Sequence, residues 1–131
     1  MSRRELREQI FKLLFRVEFN SMEDMAEQEQ LFFEEEDAAK EKDAVYVSDK
    51  YHKIREKLTE IDALLNERAE GWNTGRMSKV DLTILRLAVY EITYDESVPT
   101  GVAINEAVEL AKKFGQDASS GFVNGVLAKF A

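Results

Sequence analysis

The 131-residue chain has no cysteine, one proline and one histidine. It also has no apolar run near the 18 or more residues that a membrane-crossing helix needs. The absence of cysteine excludes disulfides, thiol nucleophiles, iron–sulfur clusters and Cys-based zinc sites, and a lone His52 excludes a His-rich metal centre or a two-His relay. Most catalytic chemistry is therefore poorly supplied. The available acids form no pair that the sequence alone places together in a cleft, so no catalytic residue, no metal and no cofactor is expected. No secretory or transmembrane segment is evident, which gives a cytoplasmic reading with no membrane partner. This length supports one domain, or two very small subdomains.

With Pro99 the single proline and only six glycines, little interrupts helical periodicity, and the chain reads as all-α. From Arg3 to Asn20, the residues Leu6, Ile10, Leu13, Leu14 and Val17 recur on one helical stripe. Ser21 and Asp24 suggest a capping box that opens a second helix with Met22, Met25, Ala26 and Phe32 or Phe33 as its apolar positions, fading in Glu34 to Asp37. Val47, Tyr51, Ile54, Leu58, Ile61 and Leu65 alternate steps of four and three, which predicts one continuous helix with Ser48 as its N-cap, ending before Gly71-Trp72. Ser78 and Asp81 form another capping box, with Met77 and Leu82 as its hydrophobic staple. The helix they open should end near Asp95, because the residue before Pro99 disfavours helical geometry. Two more helices are expected, Val102 to Phe114 with Gly115 closing it, and a last one capped by Ser119 or Ser120 and buried through Phe122, Val123, Val126, Leu127 and Phe130. Gly125 inside that last helix suggests close approach of another helix.

The net charge of −8 argues at first against a polyanionic partner. Its distribution changes that inference. Residues 1–17 carry five bases against two acids, a net of +3, whereas residues 18–49 carry twelve acids against Lys40 and Lys42, a net of −10. Residues 50–131 hold eleven bases against twelve acids. At about 100° per residue, Arg4, Arg7, Phe11 and Phe15 fall on one flank of the first helix. Guanidinium groups for phosphates beside flat rings for unstacked bases are what single-stranded RNA requires. The same spacing equally suits a widened buried face with solvated arginines. Glu34, Glu35 and Glu36 diverge by about 100° per residue and read as a solvated face rather than a metal cluster. Arg86 and Glu91, inside an otherwise apolar helix, suggest partnered ions.

A specific set of residues adds to this reading. Trp72, Arg76 and Asp81 precede Ile84-Leu85-Arg86-Leu87-Ala88 and Tyr90-Glu91-Ile92; Pro99 then leads to Val102-Ala103-Ile104-Asn105-Glu106-Ala107, Phe114-Gly115 and Phe122-Val123-Asn124-Gly125-Val126-Leu127. In order and spacing these blocks, with Arg3, Arg4, Arg7 and Glu8, closely resemble the NusB family of bacterial transcription antitermination factors. Only residues 20–50 carry little of the resemblance.

The resemblance implies two packed antiparallel three-helix bundles with six to seven helices, in a single domain of residues 1–131 divided near 70. It further implies a non-enzymatic factor that binds single-stranded boxA RNA of nascent ribosomal RNA leaders together with NusE, a small-subunit ribosomal protein. Other Nus factors and RNA polymerase would be engaged indirectly. Carried over by position, the RNA surface would comprise Arg3, Arg4, Arg7, Phe15 and Phe122, and Asp81 would face NusE. The family often has Tyr at the position of Phe15, so the stacking face is kept and a hydroxyl is lost. The alternative is a helical protein-interaction module, such as a homodimerising scaffold or an rRNA-biogenesis assembly factor, motivated by the acidic stretch and the heptad-like seam.

Overall fold

The computed structural model describes residues 1–35 and 41–131, so Glu36 and the expected fading of the second helix there lie outside the described residues. Among the described residues the chain is all-α, with no strand. Its helices are α1 (Arg3–Phe15), α2 (Met25–Glu35), α3 (Glu41–Glu56), α4 (Leu58–Arg68), α5 (Lys79–Tyr94), α6 (Thr100–Phe114) and α7 (Ser119–Leu127), with short 3-10 turns at Arg16–Glu18, Thr74–Arg76 and Ala128–Phe130. They form two compact units, Met1–Arg55 and Glu56–Ala131.

In the first unit, α1 buries Ile10, Leu13 and Leu14, as its stripe requires. Phe32 and Met25 of α2 and Val47, Tyr51 and Ile54 of α3 are also buried. Two expectations fail here. Ser21 holds the Asp24 amide through both its hydroxyl, at 3.2 Å, and its carbonyl, at 3.0 Å, so a turn precedes α2 and Met22 lies outside the helix, exposed. Ser48 is not an N-cap: it sits inside α3, and its hydroxyl donates to Glu29 Oε1 of α2 at 3.0 Å. His52, one turn along the same face, meets the Glu29 carboxylate at 2.9 Å, so α2 and α3 share one acid.

The predicted long helix is broken at Lys57, whose backbone (φ −105°, ψ 5°) departs from helical geometry. The six seam residues are nonetheless all buried. In the second unit α5 packs against α4, α6 and α7, and it is buried almost all round from Leu82 to Glu91, the pattern of a central helix. Arg86 reaches from α5 to Asp62 of α4 with two bonds of 2.9 and 2.8 Å, a bidentate geometry that offsets desolvation of both charges. On α6, which packs against both α5 and α7, the small residues Ala103, Ala107 and Ala111 are buried.

Glycines at the two ends of this unit act differently from expectation. Gly115 closes α6 with extended rather than left-handed backbone. It must be glycine because a Cβ there would lie 2.5 Å from Ser119 Cβ and 2.7 Å from the Ala111 carbonyl. Ser119 is buried and its hydroxyl accepts from the Gln116 amide at 2.9 Å, so it braces this turn instead of capping α7. Gly125 is exposed and a Cβ would meet nothing within 4 Å, so it is not a helix-packing glycine.

Candidate nucleic-acid interface

The basic end is built by a closed capping box. Ser2 Oγ accepts from the Glu5 amide and Glu5 Oε1 accepts from the Ser2 amide, each at 3.1 Å. The bond from the Ser2 backbone, followed by that of its hydroxyl, holds the Glu5 carboxyl below its ordinary range. This fixes the first turn of α1 and with it the arginines. Arg3 and Arg4 are exposed and Arg7 is half-buried. From Arg4 to Phe15 the helix rises about 16 Å, so cations and ring lie along one rod.

The aromatic row runs from the core outward. Phe11 is 4% exposed, Phe15 is half-buried and Phe19 is 59% exposed. Phe15 stacks on Phe11 with centroids 6.0 Å apart and meets Phe19 edge-to-face at 5.0 Å. For Phe11 the widened-core reading wins, because its ring is out of reach of any base. Phe15 retains an accessible part, and Phe19 adds a ring that the sequence reading missed; spacing of four residues through Phe11, Phe15 and Phe19 was the available signal. Arg16 is otherwise engaged, pairing with Glu35 at 2.9 Å, donating to the Gln28 carbonyl and lying over the Phe32 ring.

Phe122 belongs to the second unit, on α7, and is half-buried. Its partner is Trp72, edge-to-face at 5.1 Å. Trp72 is 44% exposed, and the Arg76 guanidinium lies 5.6 Å from its ring centre. The loop carrying Trp72 is held by Asn66 Oδ1, which accepts from the Thr74 amide at 2.8 Å, and turns at Gly71 with φ +78°, a left-handed conformation that favours glycine. Between this loop and α7 lies an open groove of about 270 Å³, whose lining includes Glu70, Trp72, Gly121, Phe122, Gly125 and Lys129.

Asp81 stands in the first turn of α5, half-buried. Its amide donates to Ser78 Oγ at 3.1 Å, so Ser78 caps the helix as expected. Asp81 Oδ1 is buried and has no hydrogen-bond partner. Aspartate is one methylene shorter than the Glu5 that closes the equivalent box on α1, and the carboxylate is left with unused acceptor capacity at a helix N-terminus. Among the described residues no group of three or more His, Asp or Glu side chains is arranged to hold a metal ion, and no helix is long and apolar enough to cross a membrane.

Residues 4–131 match the model of the NusB family. The chain belongs to the NusB family. A relative from Agathobacter rectalis, called transcription antitermination protein NusB, is 53% identical over 131 residues, covering all of both chains. The solved T. maritima NusB is 37% identical with a TM-score of 0.86, covering 100% of this chain and 91% of the other. A structure of antitermination factors NusB and NusE in complex with double-stranded RNA matches at 24% identity, with a TM-score of 0.85 over 98% of this chain and 94% of that one. At that identity the likeness shows the fold alone. Among the described residues this NusB-family chain has the all-α architecture that the resemblance implied, with seven helices where six to seven were expected.

Proposed function

We propose that this chain is a non-enzymatic, cytoplasmic transcription antitermination factor that binds boxA RNA of nascent ribosomal RNA leaders jointly with NusE, engaging other Nus factors and RNA polymerase indirectly. The observation that carries the reading is the start of α1 in a NusB-family chain: exposed Arg3 and Arg4, with Arg7, on the same helix as a half-buried Phe15. The arginines contact phosphates and Phe15 stacks on an unpaired base, with Phe122 supplying a second ring. Asp81, half-buried in the first turn of α5, offers the accessible part of its carboxylate to a cationic or hydrogen-bonding group of NusE. The full-length relative that is 53% identical is called a transcription antitermination protein, and a protein of the same fold has been solved with NusE and double-stranded RNA.

The acidic stretch of residues 18–49 gives such a factor a reason to need its partner, because it repels RNA that the local site and NusE do not jointly select. An antitermination reporter tests the proposal. Changing Arg3, Arg4 and Arg7 together to Glu should abolish read-through, and unchanged read-through would favour a protein-interaction scaffold instead.

A further inference from the structure

The turn that joins α1 to α2 displays apolar side chains to solvent on a backbone held from both sides. Phe19 is 59% exposed, more than any other large apolar side chain among the described residues, and Met22, 46% exposed, follows three residues later. At most about 11 Å of chain separates their Cα atoms. Single apolar residues at a surface are ordinary, but this pair sits on a tethered turn. The Arg16 carbonyl accepts from the Phe19 amide at 3.1 Å and from Asn20 Nδ2 at 2.9 Å, while Phe19 rests edge-to-face on Phe15. On the other side, Arg55 of α3 donates to the Met22 carbonyl at 3.2 Å. A ring and a thioether presented in this way lose little freedom on binding, and aromatic and Met side chains are enriched in protein interfaces.

The surroundings decide the kind of partner. Residues 18–35 carry seven acids and no base, and Glu23, Asp24 and Glu27, which follow Met22, are exposed. Arg16 and Arg55, the cations that reach this turn, are engaged by Glu35, the Gln28 carbonyl and the Met22 carbonyl. Such a surface repels phosphates and attracts a basic protein. We infer that Phe19 and Met22 form a docking point for a basic protein segment, one apolar side chain of which packs on the ring and the thioether while its Lys and Arg residues face Glu23, Asp24 and Glu27. The inference is independent of the RNA-binding reading. On it, α1 offers its basic amino end to RNA and leads, past Phe15, into an acidic corner that takes protein.

A defined probe tests this in the full chain. A labelled synthetic helical peptide of leucine and lysine should bind saturably and in a salt-dependent way, shifting the Phe19 ring and Met22 methyl resonances, and its leucine–glutamate counterpart should not. Phe19→Ser should weaken the basic peptide at least about fivefold, the loss that marks an anchoring side chain. Phe19→Leu, which keeps an apolar anchor but no ring face, should retain most of the affinity. Glu23→Lys combined with Glu27→Lys should lower both the affinity and its salt dependence, and because both positions are exposed the fold is kept. No saturable binding of the basic peptide, equal binding of the acidic one, or unchanged binding by the Phe19→Ser and charge-reversed variants would overturn the inference. So would boxA RNA that shifts the same resonances and is lost in Phe19→Leu, since the ring would then be a platform for a base. The Arg3, Arg4 and Arg7 to Glu variant should keep the peptide whatever it does to RNA, so the failure of one reading is distinguishable from that of the other.

Discussion

The two units carry arginine-and-aromatic clusters of opposite construction. In the first, the rings form a continuous row whose inner member, Phe11, is part of the core, and the arginines project from the same helix. In the second, Trp72 and Phe122 are brought together from a loop and a helix far apart in sequence, over a groove floored by glycine. The first cluster therefore ties binding to folding, because Phe15 rests on a core residue. The second leaves them separable.

The largest expected effect breaks the first cluster at its root. Phe11→Ala should lower unfolding stability by about 3–5 kcal/mol, as removal of a buried phenylalanine does, and urea denaturation measures it. A loss below about 1 kcal/mol would mean that the row is not anchored in the core. Phe122→Ala, at a half-buried position, should cost clearly less stability in the same assay. Next comes Phe15→Ala, expected to weaken boxA binding by about 1–3 kcal/mol in a fluorescence-anisotropy titration; an unchanged affinity would remove stacking at that ring.

Smaller effects sharpen the contrast between the two capping boxes, closed at Ser2–Glu5 and half-open at Ser78–Asp81. Ser78→Ala should cost about 1 kcal/mol of stability. Asp81→Asn should cost no more than about 1 kcal/mol, the size of a first-turn charge on the helix dipole, yet weaken NusE binding measured by calorimetry. Equal NusE affinity would confine Asp81 to its local role at α5. The smallest effect is on acidification. Because Glu5 has a folded pKa lowered by the bonds from Ser2, its stabilising contribution is present at neutral pH and fades as pH falls through the carboxylate range. Amide exchange in the first turn of α1 should rise there, and a Glu5→Gln variant should show less of that rise.

Much of this was legible in the sequence. Periodicity located the buried stripes of α1, α5 and α7 and the seam across α3 and α4, but not that of α2, where Met22 and Ala26 are exposed, and the caps at Ser78 and the Asp95 end of α5 follow local rules. The break at Lys57 was not legible, since neither Gly nor Pro marks it and the seam residues stay buried on both sides. Ser48 and Ser119 were misread because a hydroxyl that caps a helix and one that bonds a neighbouring segment look alike in sequence; tertiary partners Glu29 and the Gln116 amide decided between them. The pairing of Arg86 with Asp62 was out of reach for the same reason. For the candidate site, the arginines and Phe15 could be read from one helix. The groove could not, because it depends on Trp72 and Gly125 meeting across more than fifty residues.

A weak basic site on this chain becomes a selective RNA site only with NusE on the reading proposed above. Titrating labelled boxA RNA and a scrambled sequence against the chain, with and without NusE, over a range of salt concentrations tests it most directly. The chain alone should bind both weakly, with a log–log salt slope of about −2 for three arginine–phosphate contacts on single-stranded RNA, and the complex should bind boxA tightly and prefer it. A complex that binds boxA no better than the scrambled sequence at moderate salt would contradict the account.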